Sequence, residues 1–250
     1  MKTEWDYTEL ADAYLERPSY AQDVLERLFA KAGLHKNSQV CDIGAGVGHL
    51  TLPLAANGYI VTAVEPNNAM RTHGMKRTAA LSNVTWINAT GEATGLPENL
   101  FDFVSFGSSF NVMDRQNALR ETYRLLRPKG YFSCMWNHRN LEDPIQKSIE
   151  KIIAGFIPQY HYGSRREDQT DEIGKSGLFT DLEFVSGEIV HSQTATQIVE
   201  AWRSHATLHR QAKATFPEIM RAISAYLNTV STGMLAIPYT TRAWIARRKD

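Results

Sequence analysis

The run Val40-Cys41-Asp42-Ile43-Gly44-Ala45-Gly46-Val47-Gly48-His49-Leu50-Thr51-Leu52 constrains this chain more than any other stretch. The apolar residues up to Cys41 predict a buried strand, and the apolar spacing from His49 to Asn57 predicts a helix. Small residues fill the turn between them. Glycine lets the backbone approach a ligand closely, and the start of a helix presents unpaired N–H groups. The result is a βα turn of the cofactor-binding kind.

A dinucleotide fingerprint needs glycine at the first, third and sixth positions of that turn, and the sixth position here is His49. The spacing is Gly44-x-Gly46-x-Gly48 instead, with Asp42 two residues ahead. A carboxylate there repels a pyrophosphate and suits a cationic, amine-bearing ligand. These residues resemble the first signature of class I S-adenosylmethionine (SAM) methyltransferases, in which that acid lies near the methionine amine. The resemblance implies an α/β, Rossmann-like seven-stranded sheet, mostly parallel with an antiparallel last strand and a helical cap. It implies SAM as cofactor, with Asp42, Gly44, Ala45 and Gly46 against it.

Further segments extend the likeness. Tyr14-Leu15-Glu16-Arg17-Pro18-Ser19-Tyr20 is similar to the lead-in of small-molecule methyltransferases, which folds over the methionine end. Tyr14 would close a lid, and Arg17 would pair with the ligand carboxylate. The β-branched run Tyr59–Val64 predicts the second strand, ending in Glu65-Pro66-Asn67. An acid at a strand's C-terminal end can take both hydroxyls of a ribose. Asn68 is a candidate cap of the next helix, and Met70 would face the adenine. Gly91-Glu92-Ala93-Thr94-Gly95-Leu96-Pro97 resembles the family's Gly-Asp-Ala-x-x-Leu-Pro segment, which gives Glu92 and the Ala93 N–H as adenine contacts.

The strand Phe101–Phe106 opens into Gly107-Ser108-Ser109-Phe110-Asn111, where Gly107 and Ser108 should line the transfer centre. Many relatives carry histidines at the positions of Phe110 and Asn111. Their absence argues against a histidine base at this strand end; Asn111 is a candidate substrate hydrogen-bonder or a turn former, and Phe110 a candidate substrate contact. Leu125–Gly130 reads as a helix-to-strand crossing, followed by the strand Tyr131–Trp136. His138, just beyond, is a candidate acid–base group, and Trp136 a candidate substrate contact. The segment Tyr160–Asp168 reads as a substrate cover contributing Tyr162, Arg165 and Arg166. One helix is expected near 196–212 and another near 217–229. Ala201–Leu208 resembles a segment of trans-aconitate methyltransferase-like enzymes, which makes Trp202 and His205 site candidates and favours transfer to oxygen.

At 250 residues the chain suits one methyltransferase domain, with an N-terminal lid over 1–36 and cap insertions at about 138–175 and 192–235. Lys plus Arg and Asp plus Glu both number 27, so no net field draws in nucleic acid or an anionic membrane. The first residues lack a signal-peptide core, and no apolar run approaches the ~20 residues of a membrane span. The two cysteines, Cys41 and Cys134, sit in strands and read as free structural thiols. No metal-ligand spacing occurs. The expectation is a cytoplasmic enzyme, monomer or homodimer, that methylates a small organic acceptor at a hydroxyl or carboxylate. A nucleic-acid methyltransferase and a non-catalytic SAM-binding scaffold are the alternatives.

Overall fold

Strands in the middle of the sheet carry unbroken apolar runs because helices cover both of their faces. In the computed structural model, which describes residues 6–230 and 232–250, seven strands form one sheet. They are β1 (Gln39–Ile43), β2 (Ile60–Val64), β3 (Val84–Ile87), β4 (Phe101–Gly107), β5 (Leu126–Arg139), β6 (Phe179–Gln193) and β7 (Leu235–Arg248). Their order is β3-β2-β1-β4-β5-β7-β6. The first five strands pair in parallel, and β7 runs antiparallel to both β5 and β6. The chain direction along the sheet reverses between β1 and β4, so a crevice opens at their C-terminal ends.

The helices are α1 (Ala11–Tyr14), α2 (Gln22–Lys31), α3 (Thr51–Ala56), α4 (Asn68–Arg77), α5 (Arg115–Leu125), α6 (Pro144–Phe156), α7 (Thr170–Lys175), α8 (Ala195–Arg203), α9 (Ala206–Ala212) and α10 (Phe216–Val230). On one face of the sheet, Val24 and Leu28 of α2 and Leu54 of α3 pack on Val40, Val61 and Phe103. On the other, Leu119 and Leu125 of α5 meet Val104, Phe132 and Trp244. A third core, built from Ile149, Ile153, Trp202, Ile219 and Ile223, holds α6, α8 and α10 together. Cys41 and Cys134 are buried and unpaired.

Local sequence explains several boundaries. Asp143 caps α6 through its carboxylate, with Pro144 at the first turn, and Thr194 with Gln197 forms a capping box on α8. Asn67 rather than Asn68 caps α4, accepting from the Met70 N–H. The helix expected near 196–212 is broken: α8 ends at Arg203, and α9 starts after His205, which sits at ψ 87°. Residues 1–5 of the expected lid lie outside the described residues.

Trp136 lies fully buried with its ring 6.0 Å from Trp244 and donates its indole N–H to Asn111 Oδ1 at 2.8 Å. It belongs to the core, as does the fully buried Phe110, so neither is a substrate contact. Trp136→Ala is expected to cost ~3–5 kcal/mol of stability, read as a shifted denaturant midpoint.

Candidate active site

The glycine turn needs a left-handed backbone, and Gly44 and Gly46 adopt φ +67° and +57°. A Cβ at Gly44 would lie 2.4 Å from Ser109 Cβ, whereas one at Gly46 would point past Met70 Cε at 3.1 Å. Above the turn lies a cleft with an empty volume of about 1190 Å³ including its mouth. Asp42, Gly44, Ala45 and Gly46 line its floor, and Glu65, Pro66, Asn67 and Met70 line one wall.

Two acids define that end. Asp42 is fully buried, and Thr51 donates to its Oδ2 at 2.7 Å while Oδ1 has no partner. Burial pushes its carboxyl up to about 7, and the Thr51 bonds hold it only partly down. An orphaned carboxylate oxygen facing a cleft suits an ammonium group. Glu65 takes the Gly46 N–H on Oε2 at 2.9 Å and the Asn67 N–H on Oε1 at 2.8 Å. Each oxygen keeps acceptor capacity, enough for a diol. Thr90, Gly91 and Glu92 also line the cleft. The exposed Ala93 does not, and its N–H is spent on the Thr90 carbonyl at 3.3 Å. Geometry and donor set therefore fit an adenosyl amino acid.

Gly107 and Ser108 form the rim on the other side. Ser108 holds φ +64°, fixed by its N–H on Met135 O at 2.8 Å and by its hydroxyl 3.1 Å from the Tyr20 hydroxyl. Beyond it a smaller annex of about 280 Å³ is bounded by Tyr7, Tyr14, Arg17, Asn111, Arg165 and His205. The break between α8 and α9 sets His205 at this wall. It is 1% exposed, its Nδ1 lies 3.0 Å from the Tyr160 hydroxyl, and its Nε2 has no partner. Burial, then the fields of Arg165, Arg139 and Arg17, keep it well below the usual imidazole range and so neutral. Arg17 lies 3.8 Å over the Tyr14 ring and donates from Nε to Ser204 Oγ and from a terminal nitrogen to Ser204 O, each at 2.8 Å. Ser204 is thus buried against the Arg17 guanidinium rather than facing the cleft.

Other expected contacts lie behind the wall. His138 is buried on β5 and absent from the lining; burial, Arg165, Arg166 and Arg242 hold it down at about 2. Trp202 is fully buried in the third core, beneath the Arg139 guanidinium at 3.9 Å. Tyr162 donates its hydroxyl to Glu150 and carries Arg166 over its ring at 4.3 Å, and Arg166 in turn donates to Arg139 O at 3.0 Å. These side chains support the wall without facing the cleft. Lining residues missed in the sequence include Tyr7, Tyr20, His49, Gly91, Asn137 and Arg139. His49 donates from Nε2 to Tyr14 O at 2.8 Å, and burial holds it down at about 4.

Comparison with known proteins agrees with this geometry. Residues 41–134 match the family model described as a methyltransferase domain. An uncharacterized methyltransferase of Mycobacterium tuberculosis is 26% identical over 229 residues, covering 90% of this chain and 88% of that protein. A structure assigned as a type II methyltransferase from Anaeromyxobacter dehalogenans superposes with a TM-score of 0.66 at 18% identity, covering 93% of this chain and 97% of that one. Phosphoethanolamine N-methyltransferase 2 of Haemonchus contortus, in complex with phosphomonomethylethanolamine and S-adenosylhomocysteine, superposes with a TM-score of 0.57 at 17% identity, over 96% of this chain and 57% of that one. The seven-stranded sheet with its antiparallel β7 is the class I methyltransferase fold. Residues 41–134 thus carry the likeness to a methyltransferase domain, set in a chain with the class I methyltransferase fold.

Proposed function

We propose that this chain transfers the methyl group of SAM to an oxygen of a small organic acceptor. Asp42 would receive the methionine ammonium, Arg17 its carboxylate, and Glu65 the ribose hydroxyls. When bound, SAM supplies a methyl group already activated by the sulfonium charge. What falls to the protein is alignment and exclusion of water. Tyr20 and Ser108 hold the rim between the acidic cleft and the annex, and the Arg17–Ser204 latch closes lid against cap. On this reading residues 6–36, about 138–175 and 192–235 are the lid and cap of a single domain.

The observation that carries the choice of acceptor is the annex lining. It holds tyrosines, Asn111, arginines and a neutral His205, and none of the residues bounding it is a carboxylate that would anchor an ammonium. Such a lining favours an oxygen nucleophile over a protonated amine. For a hydroxyl acceptor His205 is the group that would take the proton, and a carboxylate acceptor needs no base. The balance of 27 basic against 27 acidic residues also speaks against a polyanionic polymer as acceptor. Calorimetry with S-adenosylhomocysteine, followed by a labelled-methyl screen over small acids, phenols, amines and oligonucleotides, tests the proposal. The expected product carries label on oxygen. Label on nitrogen or on nucleic acid would overturn it, as would the absence of turnover with every class.

A further inference from the structure

Arg139 and Arg165 both line the main cleft, and Arg165 also faces the annex. Neither forms an ion pair with a carboxylate among the described residues, and both are held by neutral backbone oxygens instead. Arg139 donates to Ala201 O at 2.9 Å and is stacked on Trp202; Arg165 donates to Asn137 O at 3.2 Å. Arg139 Nε is buried with no hydrogen-bond partner. Glu150, the acid whose field reaches Arg139, is occupied by the Tyr162 hydroxyl, and burial raises it toward the neutral form. Burial together with Arg17 and Arg139 pushes Arg165 down to about 10, a sign of cations gathered without a counter-ion. Guanidiniums fixed in place, short of donors' partners and repelling one another, are poised for an oxyanion.

We infer that Arg165 and Arg139 form an oxyanion site for the acceptor, separate from the position Arg17 offers the cofactor, and that the acceptor is a small organic acid bearing a carboxylate or phosphate. The inference rests on the cofactor reading above. Occupation of this site would neutralise the repulsion among the arginines, so the acceptor would bind more tightly than its neutral analogue by the strength of a charge-assisted pair, ~10- to 100-fold.

The test uses the full chain saturated with S-adenosylhomocysteine, titrated calorimetrically with benzoate, succinate and phenyl phosphate against benzamide and succinamide. At least one anion is expected to bind, with its amide at least tenfold weaker; the benzoate and phenyl phosphate arms tell which anion fits. Arg165→Gln is expected to weaken the anion at least tenfold while S-adenosylhomocysteine affinity stays within threefold. Arg165→Lys, which keeps the charge, is expected to retain the preference for acid over amide, and this variant decides the matter if the glutamine variant does not fold. Equal binding of acids and amides, or no anion binding to the loaded protein, would overturn the inference. Failure of S-adenosylhomocysteine itself to bind would instead overturn the cofactor reading.

Discussion

Asp42→Asn is expected to weaken SAM binding by ~10- to 100-fold, the ~1.5–3 kcal/mol of a hydrogen bond to a charged group. Asparagine keeps the shape and a carbonyl acceptor for Thr51, so the fold should persist while the charge facing the ligand ammonium is lost. The wild-type protein should also show a pH dependence that the variant lacks. With its carboxyl raised to about 7, Asp42 is protonated below neutrality in the ligand-free protein, and an ammonium ligand requires it ionised. Affinity should therefore rise by up to ~tenfold per pH unit toward pH 7 and level off above it, with a proton released on binding. Folding of the ligand-free protein responds in the opposite sense. A carboxyl with a native value above its unfolded one stabilises the fold when protonated, and that contribution is lost as pH rises from about 4 through about 7. Calorimetry in buffers of different ionisation heat measures the released proton, and a pH-independent affinity would remove Asp42 from the ammonium site.

Gly46→Val should abolish measurable cofactor binding, a loss of more than ~100-fold, because the branched side chain would stand in the cleft, its Cβ 3.1 Å from Met70 Cε. The backbone at φ +57° would add ~1–2 kcal/mol of strain, so a lowered melting temperature is expected with the secondary structure intact. Gly44→Ala is the informative contrast. Its Cβ would fall 2.4 Å from Ser109 Cβ, where β1 and the β4 exit meet, so the damage there should fall on the fold. Retention of S-adenosylhomocysteine affinity in folded Gly46→Val would count against the position of the cofactor.

Much of the cleft was legible because its chemistry is local. The turn from Asp42 to Gly46 and the acid at the end of β2 each depend on a few consecutive residues, and both line the cleft. The far side was less legible because it depends on strand parity and on a broken helix. Along β5, Trp136 and His138 face the packed side while Asn137 and Arg139 reach the cleft; the apolar content of the strand cannot distinguish these two sets until one face is known. The indole pairing of Trp136 with Asn111 spans a loop and a strand, so spacing held no sign of it. Trp202 and His205 both fall within the single helix expected near 196–212. The chain instead breaks after Arg203, which sends the indole into the core shared by α6, α8 and α10 and the imidazole to the annex wall.

The place of β7 bears on how the protein is made. Until residues 235–248 leave the ribosome, β5 and β6 cannot be joined, because β7 is the strand that pairs with each of them. Between the emergence of β6 and that of β7 the nascent polypeptide therefore carries two strand edges awaiting the same partner, a state prone to mispairing. Closure of the sheet and completion of the cleft, whose lining includes Tyr239 of that strand, therefore come together when β7 docks.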